Sequence, residues 1–417
     1  MSSKASLFVI FLTVFIDLLG FGMVLPLLPI YAKQYTTDAT GITIGLLMSS
    51  FSAMQFLFAP LWGRLSDRIG RRPVLMVGLA GSVVFYWLFG YATVEKSLAL
   101  MFVARIGAGI AGATISTAQA YIADSTTLDK RAKGMALIGA AFGLGFTFGP
   151  LFGFLAVPAE GGDPGPGPGY AAAGLSAFAL LLAALKLPES LTPEMRGNIA
   201  SQTGRHDRRS WIDLRALRTA LASRPISLLL AASFLCVFSF ANFESTLSLI
   251  IKDETGPFRF SFKHVCLTFA YIGLVLTLIQ GGVVRRMSGK MPEAKMTVIG
   301  AALEVVGFGL LIASTQSYSL GLLLTALAIT VSGFAFMTPS INSLLSRWSD
   351  PAKQGEVLGL GQSVSALARI FGPAIGIPLS RQHVTYPLWA AVVLMGVGGM
   401  LVLAAAKTGK DYPAGQK

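Results

Sequence analysis

Twelve long apolar stretches constrain the fold of this 417-residue chain more than any other feature of its sequence. Each stretch is nearly free of charge and is long enough for a helix to cross a bilayer. Lipid offers no hydrogen-bond partner to the backbone, so each stretch is predicted to be an α-helix. The predicted spans are about 7–32, 42–62, 73–93, 97–122, 134–157, 170–186, 225–251, 264–284, 296–314, 318–346, 355–380 and 386–406.

The composition supports an all-α membrane protein and excludes an ordinary soluble domain, since 53% of the residues are hydrophobic and only 13% are charged. The net charge of +13 resides mainly in the predicted loops, so it does not indicate a nucleic-acid partner. With both termini cytoplasmic, 25 Lys and Arg residues fall inside, six fall outside and two lie within helices. This bias predicts a multi-pass protein of the plasma (inner) membrane with both termini in the cytoplasm.

A polar segment divides the chain into two halves of six predicted helices each. The predicted domains are 1–187, a cytoplasmic linker at 188–224 with an amphipathic piece near 211–221, and 225–417. Both halves contain an Asp five positions before a Gly, followed by GPxxG: DKRAKG and GPLFG in the first, DPAKQG and GPAIG in the second. Such repeats are common in transporters, which bind substrate between them. We expect two pseudo-symmetric six-helix bundles.

The loop after the second predicted helix reads GRLSDRIGRRPVL. Gly63 and Gly70 are predicted to permit a tight turn between neighbouring helices. Asp67 can bond basic side chains or a helix N-terminus, and Arg68 and Arg71 are among the arginines that hold the loop on the cytoplasmic side. A loop that only anchors the protein on the cytoplasmic side needs the arginines alone. The full pattern of glycines, aspartate and arginines is therefore a more specific signal than such an anchoring loop would give.

This loop resembles the hallmark loop of the major facilitator superfamily. The segments DLLGFGMVLPLLP, ARIGAGIAGATISTAQAYIAD, GLGFTFGPLFG and TPSINSLLSRWSDPAKQGEVLGLGQS are similar to the tetracycline-resistance type of proton-coupled drug antiporter. The resemblance implies alternating access, a monomer embedded in the lipid bilayer, and export of a small organic molecule against entering protons. It also implies a role in conformational gating for the loop residues Gly63, Asp67, Arg68, Gly70 and Arg71.

The fifth predicted helix contains Gly145-x-x-x-Gly149-Pro150-x-x-Gly153. Small residues let helices approach closely, and proline bends a helix. In the family that the chain resembles, this pattern is the antiporter motif, which assigns Gly149 and Pro150 to gating; its usual closing glycine is Phe154 here. The alternative is ordinary close packing.

Ionisable residues within membrane helices are costly and usually functional. Asp17 lies about 15 Å from the inner end of its predicted helix, and Arg105 about 10 Å from the outer end of helix four. In a core about 30 Å thick their depths differ by roughly 5 Å, which a long arginine side chain can span. Arg105 shares a helix face with Gly109, Gly112 and Ser116, a small polar stripe suited to a cavity wall.

The second half also carries ionisable residues in its helices. Glu304 is about 12 Å into helix nine, where the tetracycline exporters have an acid, and Glu244 is in the outer third of helix seven. Arg369 is the buried base of this half. Two explanations remain open for these five ionisable residues: static ion pairs that lock helices, or a proton relay. The five are Asp17, Arg105, Glu244, Glu304 and Arg369.

Several uncharged side chains are candidates for substrate binding or, alternatively, for bonds between helices. They are Gln55, Gln119, Asn242, Gln280, Asn342 and Gln362, of which Gln119, Asn242, Asn342 and Gln362 are taken as the substrate-binding candidates. The tetracycline exporters carry an acid in helix three that their chelated-cation substrate needs, whereas Phe85 occupies that position here. An apolar wall suits a more hydrophobic substrate.

The resemblance, together with the ionisable residues in the helices and the apolar position 85, therefore predicts a proton-coupled antiporter that exports a hydrophobic drug-like molecule. The alternative is an organic anion transporter of the same fold, in which Arg105 and Arg369 hold the substrate. An enzyme is not expected, because the three histidines are scattered and no metal-spaced cluster or nucleophile motif accompanies them. No cofactor or metal is predicted.

Overall fold

The computed structural model describes residues 3–126, 128–158, 163–191, 222–252, 256, 258–349, 354–409 and 411, with the side chains of 3–6, 128–136 and 354–356 left out. In the first half the helices are α1 (Ser3–Val24), α2 (Leu28–Tyr35), α3 (Ile42–Ile69), α4 (Arg71–Val94), α5 (Leu98–Gly112), α6 (Ile115–Asp124), α7 (Leu128–Ala156) and α8 (Gly167–Lys186). In the second half they are α9 (Arg224–Lys252), α10 (Phe262–Leu278), a π-helical segment (Ile279–Val284), α11 (Arg285–Met287), α12 (Glu293–Ser317), α13 (Leu320–Arg347), α14 (Gln354–Gln382) and α15 (Tyr386–Thr408).

Twelve spans in the described part of the chain are long and apolar enough to cross a membrane. They coincide with the twelve apolar stretches of the sequence, with α5 and α6 together forming one span, and α10 to α11 another. The prediction of an all-α protein with twelve transmembrane helices is confirmed.

Three of the predicted spans are not single continuous α-helices, contrary to expectation. The first ends at Val24 and resumes at Leu28, because Pro26 has no N–H to continue the helical ladder. The fourth is interrupted after Gly112, where the Thr114 hydroxyl donates to the carbonyl of Ala111 at 3.0 Å. In the eighth, Gly281 and Gly282 lie in a π-helical segment.

The first compact unit comprises residues 1–37, 50–211 and 260–273, as far as these are described. Within it, α1 packs mainly against α7 and α8, and α4 packs against α5 and α8. Its core is formed by aliphatic side chains and by Tyr121, which is fully buried. The helices that carry Asp17, Ser82, Arg105 and Ser176 therefore belong to one packed group inside this unit.

The second compact unit comprises residues 38–49, 212–259 and 274–417, again within the described ranges. Here α12 packs along α13, and α9 packs against α14 and α15. The start of α3 also belongs to this unit, since the Ser49 hydroxyl donates to the carbonyl of Ile370 in α14 at 2.5 Å. The predicted linker at 188–224, with its amphipathic piece at 211–221, lies mostly outside the described residues, and the domain boundaries stay predictions.

Candidate functional site

Asp17 is held in the first unit by two serine side chains. Its carboxylate oxygen accepts a hydrogen bond from the hydroxyl of Ser176 in α8 at 3.1 Å, and Ser82 in α4 also bonds to it. Both serines are buried, whereas Asp17 is half-buried. Neutral donors thus satisfy the acid, and no ion pair of 4.0 Å or less holds it among the described residues.

Arg105 lies on α5 in the same unit and is buried, with 2% of its surface exposed. Its guanidinium carbon stands over two phenyl rings, 4.6 Å from the centroid of Phe51 and 5.9 Å from that of Phe21. Its Nε and Nη1 atoms have no hydrogen-bond partner among the described residues. No ion pair of 4.0 Å or less joins Arg105 to Asp17. The sequence predicts that the arginine side chain can span the distance to the acid, but the two side chains do not form an ion pair in this structure. A buried cation with unused donors can accept an anion.

The polar stripe beside Arg105 is a helix contact, so the prediction that it forms a cavity wall is wrong. A Cβ atom on Gly109 would lie 2.5 Å from the carbonyl oxygen of Phe51 in α3. Gln55 donates to the carbonyl of Gly112 at 3.3 Å, and the Ser116 hydroxyl donates to that of Ala59 at 3.2 Å. Small residues let α3 approach closely along this face.

Glu304 in α12 is completely buried in the second unit. Neither of its carboxylate oxygens has a hydrogen-bond partner among the described residues. A Cβ atom on Gly333 in α13 would lie 2.6 Å from its Cγ, so the two helices close tightly over it. Because burying an unpaired charge is expensive, this environment favours the neutral carboxylic acid.

Glu244 and Arg369 form the second charged site of this unit. Glu244 is half-buried in α9, and Arg369 lies within the membrane-spanning part of α14 with an accessible side chain. The two side chains interact electrostatically, although no ion pair of 4.0 Å or less joins them. Charged side chains at membrane depth face protein or water rather than lipid. The surface that carries Glu244 and Arg369 is therefore a candidate for contact with the substrate.

The uncharged candidates are dispersed. Asn242 is 1% exposed and donates to the carbonyl of Pro387 at 2.8 Å, which favours the helix-bonding alternative. Gln119 and Gln362 are exposed, and Asn342 is half-buried. Phe85 is half-buried and packs directly onto Gly107 of α5.

The end of α3 and the start of α4 form a compact polar cluster around Arg71. Its guanidinium donates to Asp67 at 2.5 Å, to Ser66 at 2.6 Å and to Asp124 of α6 at 3.0 Å. The Glu189 carboxylate, just after α8, accepts from the backbone N–H of Arg71 at 2.9 Å. The prediction that Asp67 bonds a basic side chain is confirmed, and Arg68 is exposed.

Gly63 and Gly70 differ in what they do. Gly70 separates α3 from α4 with a φ of 111°, a conformation that favours glycine. Gly63 lies inside α3, which continues to Ile69, and a Cβ atom there would meet nothing within 4 Å. The prediction that Gly63 permits the turn is therefore wrong, because the helix extends a further two turns.

The glycines of α7 bring it into contact with α1. A Cβ atom on Gly149 would lie 2.7 Å from the Cα of Gly22, and one on Gly145 would lie 2.8 Å from the Cβ of Leu18. Pro150 lies within the helix, which runs from Leu128 to Ala156. Close packing is present as expected; a gating role stays a prediction.

Sequence reasoning missed the residues that surround Asp17 and Arg105. Ser82 and Tyr86 lie one turn apart on α4, and both are buried. Phe21 follows Asp17 by one turn on α1. The available signal was the i, i+4 pair of polar side chains in an apolar helix, which places both on one face.

Comparisons with known proteins agree with this arrangement. The sequence model of the Major Facilitator Superfamily matches residues 10–373 and 229–416. Major facilitator superfamily domain-containing protein 10 of Bos taurus is 32% identical and covers 93% of this chain and 90% of its own length. Tetracycline resistance protein, class C, of Escherichia coli is also 32% identical, over 90% of this chain and 89% of its own. The crystal structure of the human organic anion transporter MFSD10 (TETRAN) aligns with a TM-score of 0.69 at 28% identity, covering 96% of this chain and 100% of that one.

Proposed function

The chain belongs to the Major Facilitator Superfamily, and we propose that it is a proton-coupled antiporter that exports a hydrophobic drug-like molecule by alternating access. It is a multi-pass integral membrane transporter of a small molecule and not an enzyme. Proton coupling and the class of cargo are the proposed parts, together with a monomeric state, residence in the plasma membrane and cytoplasmic termini.

The observation that carries this proposal is the environment of Asp17. A membrane acid held by two serine hydroxyls, with no ion pair of 4.0 Å or less, can exist with or without its proton. Its proton can therefore be exchanged when the site opens to either side of the membrane. The energy is adequate, since moving one charge through 100 mV supplies about 2.3 kcal/mol.

Two further acids are proposed to assist. Glu304 is buried without a partner and would hold a second proton in the other unit. Glu244, with Arg369 nearby, would contact the charged part of a cargo. Phe85 packs as an apolar group where the tetracycline exporters have an acid, which supports a hydrophobic cargo.

A second candidate is export or exchange of an organic anion. Arg105 supports it, because its Nε and Nη1 are buried and unused, and an anion would satisfy both. The likeness to a human organic anion transporter at 28% identity supports it also. In this case Arg105 and Arg369 would bind the cargo, and the protonation of Asp17 would change the affinity for it.

The test is transport in liposomes that contain an internal pH dye and carry a fixed pH gradient. Panels of lipophilic cations, neutral drugs and organic anions are added to wild type, Asp17→Asn and the control Glu95→Gln, which changes an exposed acid beyond the end of α4. A compound should collapse the gradient with wild type and the control but not with Asp17→Asn. Equal collapse by all three proteins would refute coupling through Asp17.

The charge of the active compound distinguishes the two candidates. If it is an organic anion, Arg105→Gln should abolish its binding because the guanidinium is its counter-charge. If it is a lipophilic cation or a neutral drug, binding should persist in Arg105→Gln. Activity confined to anions would replace the first candidate with the second.

A further inference from the structure

Arg105 and Arg71 are both buried in the first unit, but they differ in how their donors are used. Arg71 is 5% exposed, and its guanidinium donates to the side chains of Asp67, Ser66 and Asp124. Arg105 is 2% exposed, and its Nε and Nη1 have no hydrogen-bond partner among the described residues. A buried cation is costly unless a counter-charge and hydrogen-bond acceptors reach it, so Arg105 requires a further group that Arg71 does not.

The neighbours of the Arg105 guanidinium are apolar. The ring centroids of Phe51 and Phe21 lie 4.6 and 5.9 Å from its Cζ, and the two rings are 4.9 Å apart. Phenyl rings attract the cation through their faces but provide no oxygen or nitrogen atom that accepts an N–H bond. The guanidinium is thus shielded from water while its donors stay unsatisfied.

Asp17 on α1 does not supply the counter-charge. Its carboxylate accepts from the hydroxyl of Ser176 at 3.1 Å and also bonds to Ser82. The ion pairs of 4.0 Å or less in the described part of the chain involve Arg71 and Arg347, and not Arg105. A water molecule would accept a hydrogen bond but would leave the charge uncompensated, which favours a bound anion.

The packing around Arg105 limits the size of that anion. A Cβ atom on Gly109, one turn along α5, would lie 2.5 Å from the carbonyl oxygen of Phe51, so α3 and α5 are in close contact beside the guanidinium. A bulky organic anion reaches the donors only if these helices separate, whereas a small inorganic anion needs no such movement. A single negative charge matches the guanidinium, and a divalent anion would leave a net buried charge.

We propose that the guanidinium of Arg105 binds a small monovalent inorganic anion of the size of chloride, held as a resident ligand beside Phe21 and Phe51. This inference does not depend on proton coupling through Asp17 or on the nature of the cargo. The anion neutralises the guanidinium where water is excluded and where charge-assisted hydrogen bonds are strong. An organic anion that used Arg105 as its counter-charge would first have to displace it.

The test is equilibrium binding of radioactive chloride to the purified full-length protein in detergent, with no cargo and no pH gradient. Wild type should bind a single chloride per chain. Arg105→Gln removes the charge and the fork of donors, so the affinity for chloride should fall by about thirtyfold or more. The matched control is Arg285→Gln, since Arg285 is exposed on α11 and its loss should leave chloride binding unchanged. Binding by Arg105→Gln as tight as by wild type would overturn the inference.

Competition experiments on wild type test the size limit. Bromide and nitrate should displace radioactive chloride, because both are small and carry one negative charge. Gluconate at the same concentration should not, because it is a bulky organic anion. Equal displacement by gluconate would overturn the assignment of a small anion and would favour an organic anion at Arg105.

Bromide also locates the site if Arg105→Gln does not fold. Anomalous X-ray scattering from wild-type crystals soaked in sodium bromide should place bromide within hydrogen-bond distance of a guanidinium nitrogen of Arg105. Bromide bound only elsewhere would count against the inference. Failure here is distinguishable from failure of the proposed function, which the liposome assay of Asp17→Asn tests separately.

Discussion

The guanidinium carbon of Arg105 lies 4.6 Å from the ring centroid of Phe51. A desolvated cation over an aromatic face gains up to about 2 kcal/mol, and Phe51 is itself buried. We therefore expect Phe51→Leu to lower the free energy of unfolding by about 2 kcal/mol, since it removes the ring and leaves a small void. Thermal unfolding of the purified protein in detergent measures this loss.

Phe152→Leu is the control for this prediction, because Phe152 is 41% exposed. It should change stability by much less. Combining Phe51→Leu with Arg105→Met separates the cation–ring interaction from simple packing, and the two changes should be non-additive by about 1 kcal/mol. Additivity would show that the ring only fills space.

The contact between Gly149 and Gly22 makes a second prediction. A side chain on Gly149 would collide with the backbone of α1, so Gly149→Val must push α1 and α7 apart. Such overpacking costs about 1–3 kcal/mol or more. We expect a lower unfolding temperature and reduced transport in the liposome assay.

Gly139→Val on the same helix is the matched control. A Cβ atom there would meet nothing within 4 Å, and the residue is exposed. Stability should be unchanged or slightly higher, because glycine disfavours helix. Equal losses at both positions would mean that α7 does not tolerate valine for reasons unrelated to its contact with α1.

The twelve spans were predictable because hydropathy alone fixes where a chain must be helical in lipid. Breaks within the spans were harder to predict from the sequence. Pro26 divides the first span whereas Pro150 does not divide α7, and the sequence of each span does not distinguish the two outcomes. The difference depends on whether neighbouring helices support the freed carbonyl groups.

The site was predictable in its charges but not in its partners. Asp17 and Arg105 stand out as ionisable residues in apolar helices, yet Ser176 is 159 residues from the acid that it contacts. Periodicity gives the face of a helix but not which helix packs on it. For this reason the face of Gly109 was predicted to line a cavity and instead receives α3.

Glu189 caps α4 from a distant part of the chain. Its two carboxylate oxygens accept from the backbone N–H groups of Arg71 and Arg72, at 2.9 and 3.1 Å, and Gly70 offers no side-chain cap. Glu189→Ala should cost about 1–2 kcal/mol, and Glu189→Gln about half of that, because one oxygen remains to accept. Thermal unfolding is the measurement, with Glu95→Gln as the control; a Glu189→Ala protein as stable as wild type would contradict this assignment.

Asp38 precedes α3 and gives a prediction that depends on pH. Its carboxylate accepts from the Thr40 hydroxyl at 2.7 Å and from the backbone N–H groups of Gly41 and Thr43 at 3.0 and 2.7 Å. Burial is the largest single influence and opposes ionisation, but these hydrogen bonds together lower the pKa of Asp38 from its usual value. The charged form is therefore the one that stabilises the folded protein.

The direction of this pKa shift fixes the pH range in which Asp38 acts. An unfolded aspartate has a pKa of about 3.9, so the stabilisation is complete above that pH and is lost as the pH falls through the lower folded-state value. Asp38→Asn keeps one acceptor and should cost about 1 kcal/mol at pH 7. Unfolding temperatures of wild type and Asp38→Asn, measured in detergent from about pH 7 to pH 3, should differ by a constant amount down to about pH 4 and begin to converge below it. A difference that stays constant over this pH range would mean that the asparagine amide destabilises the protein because it fits poorly, and not because the negative charge is lost.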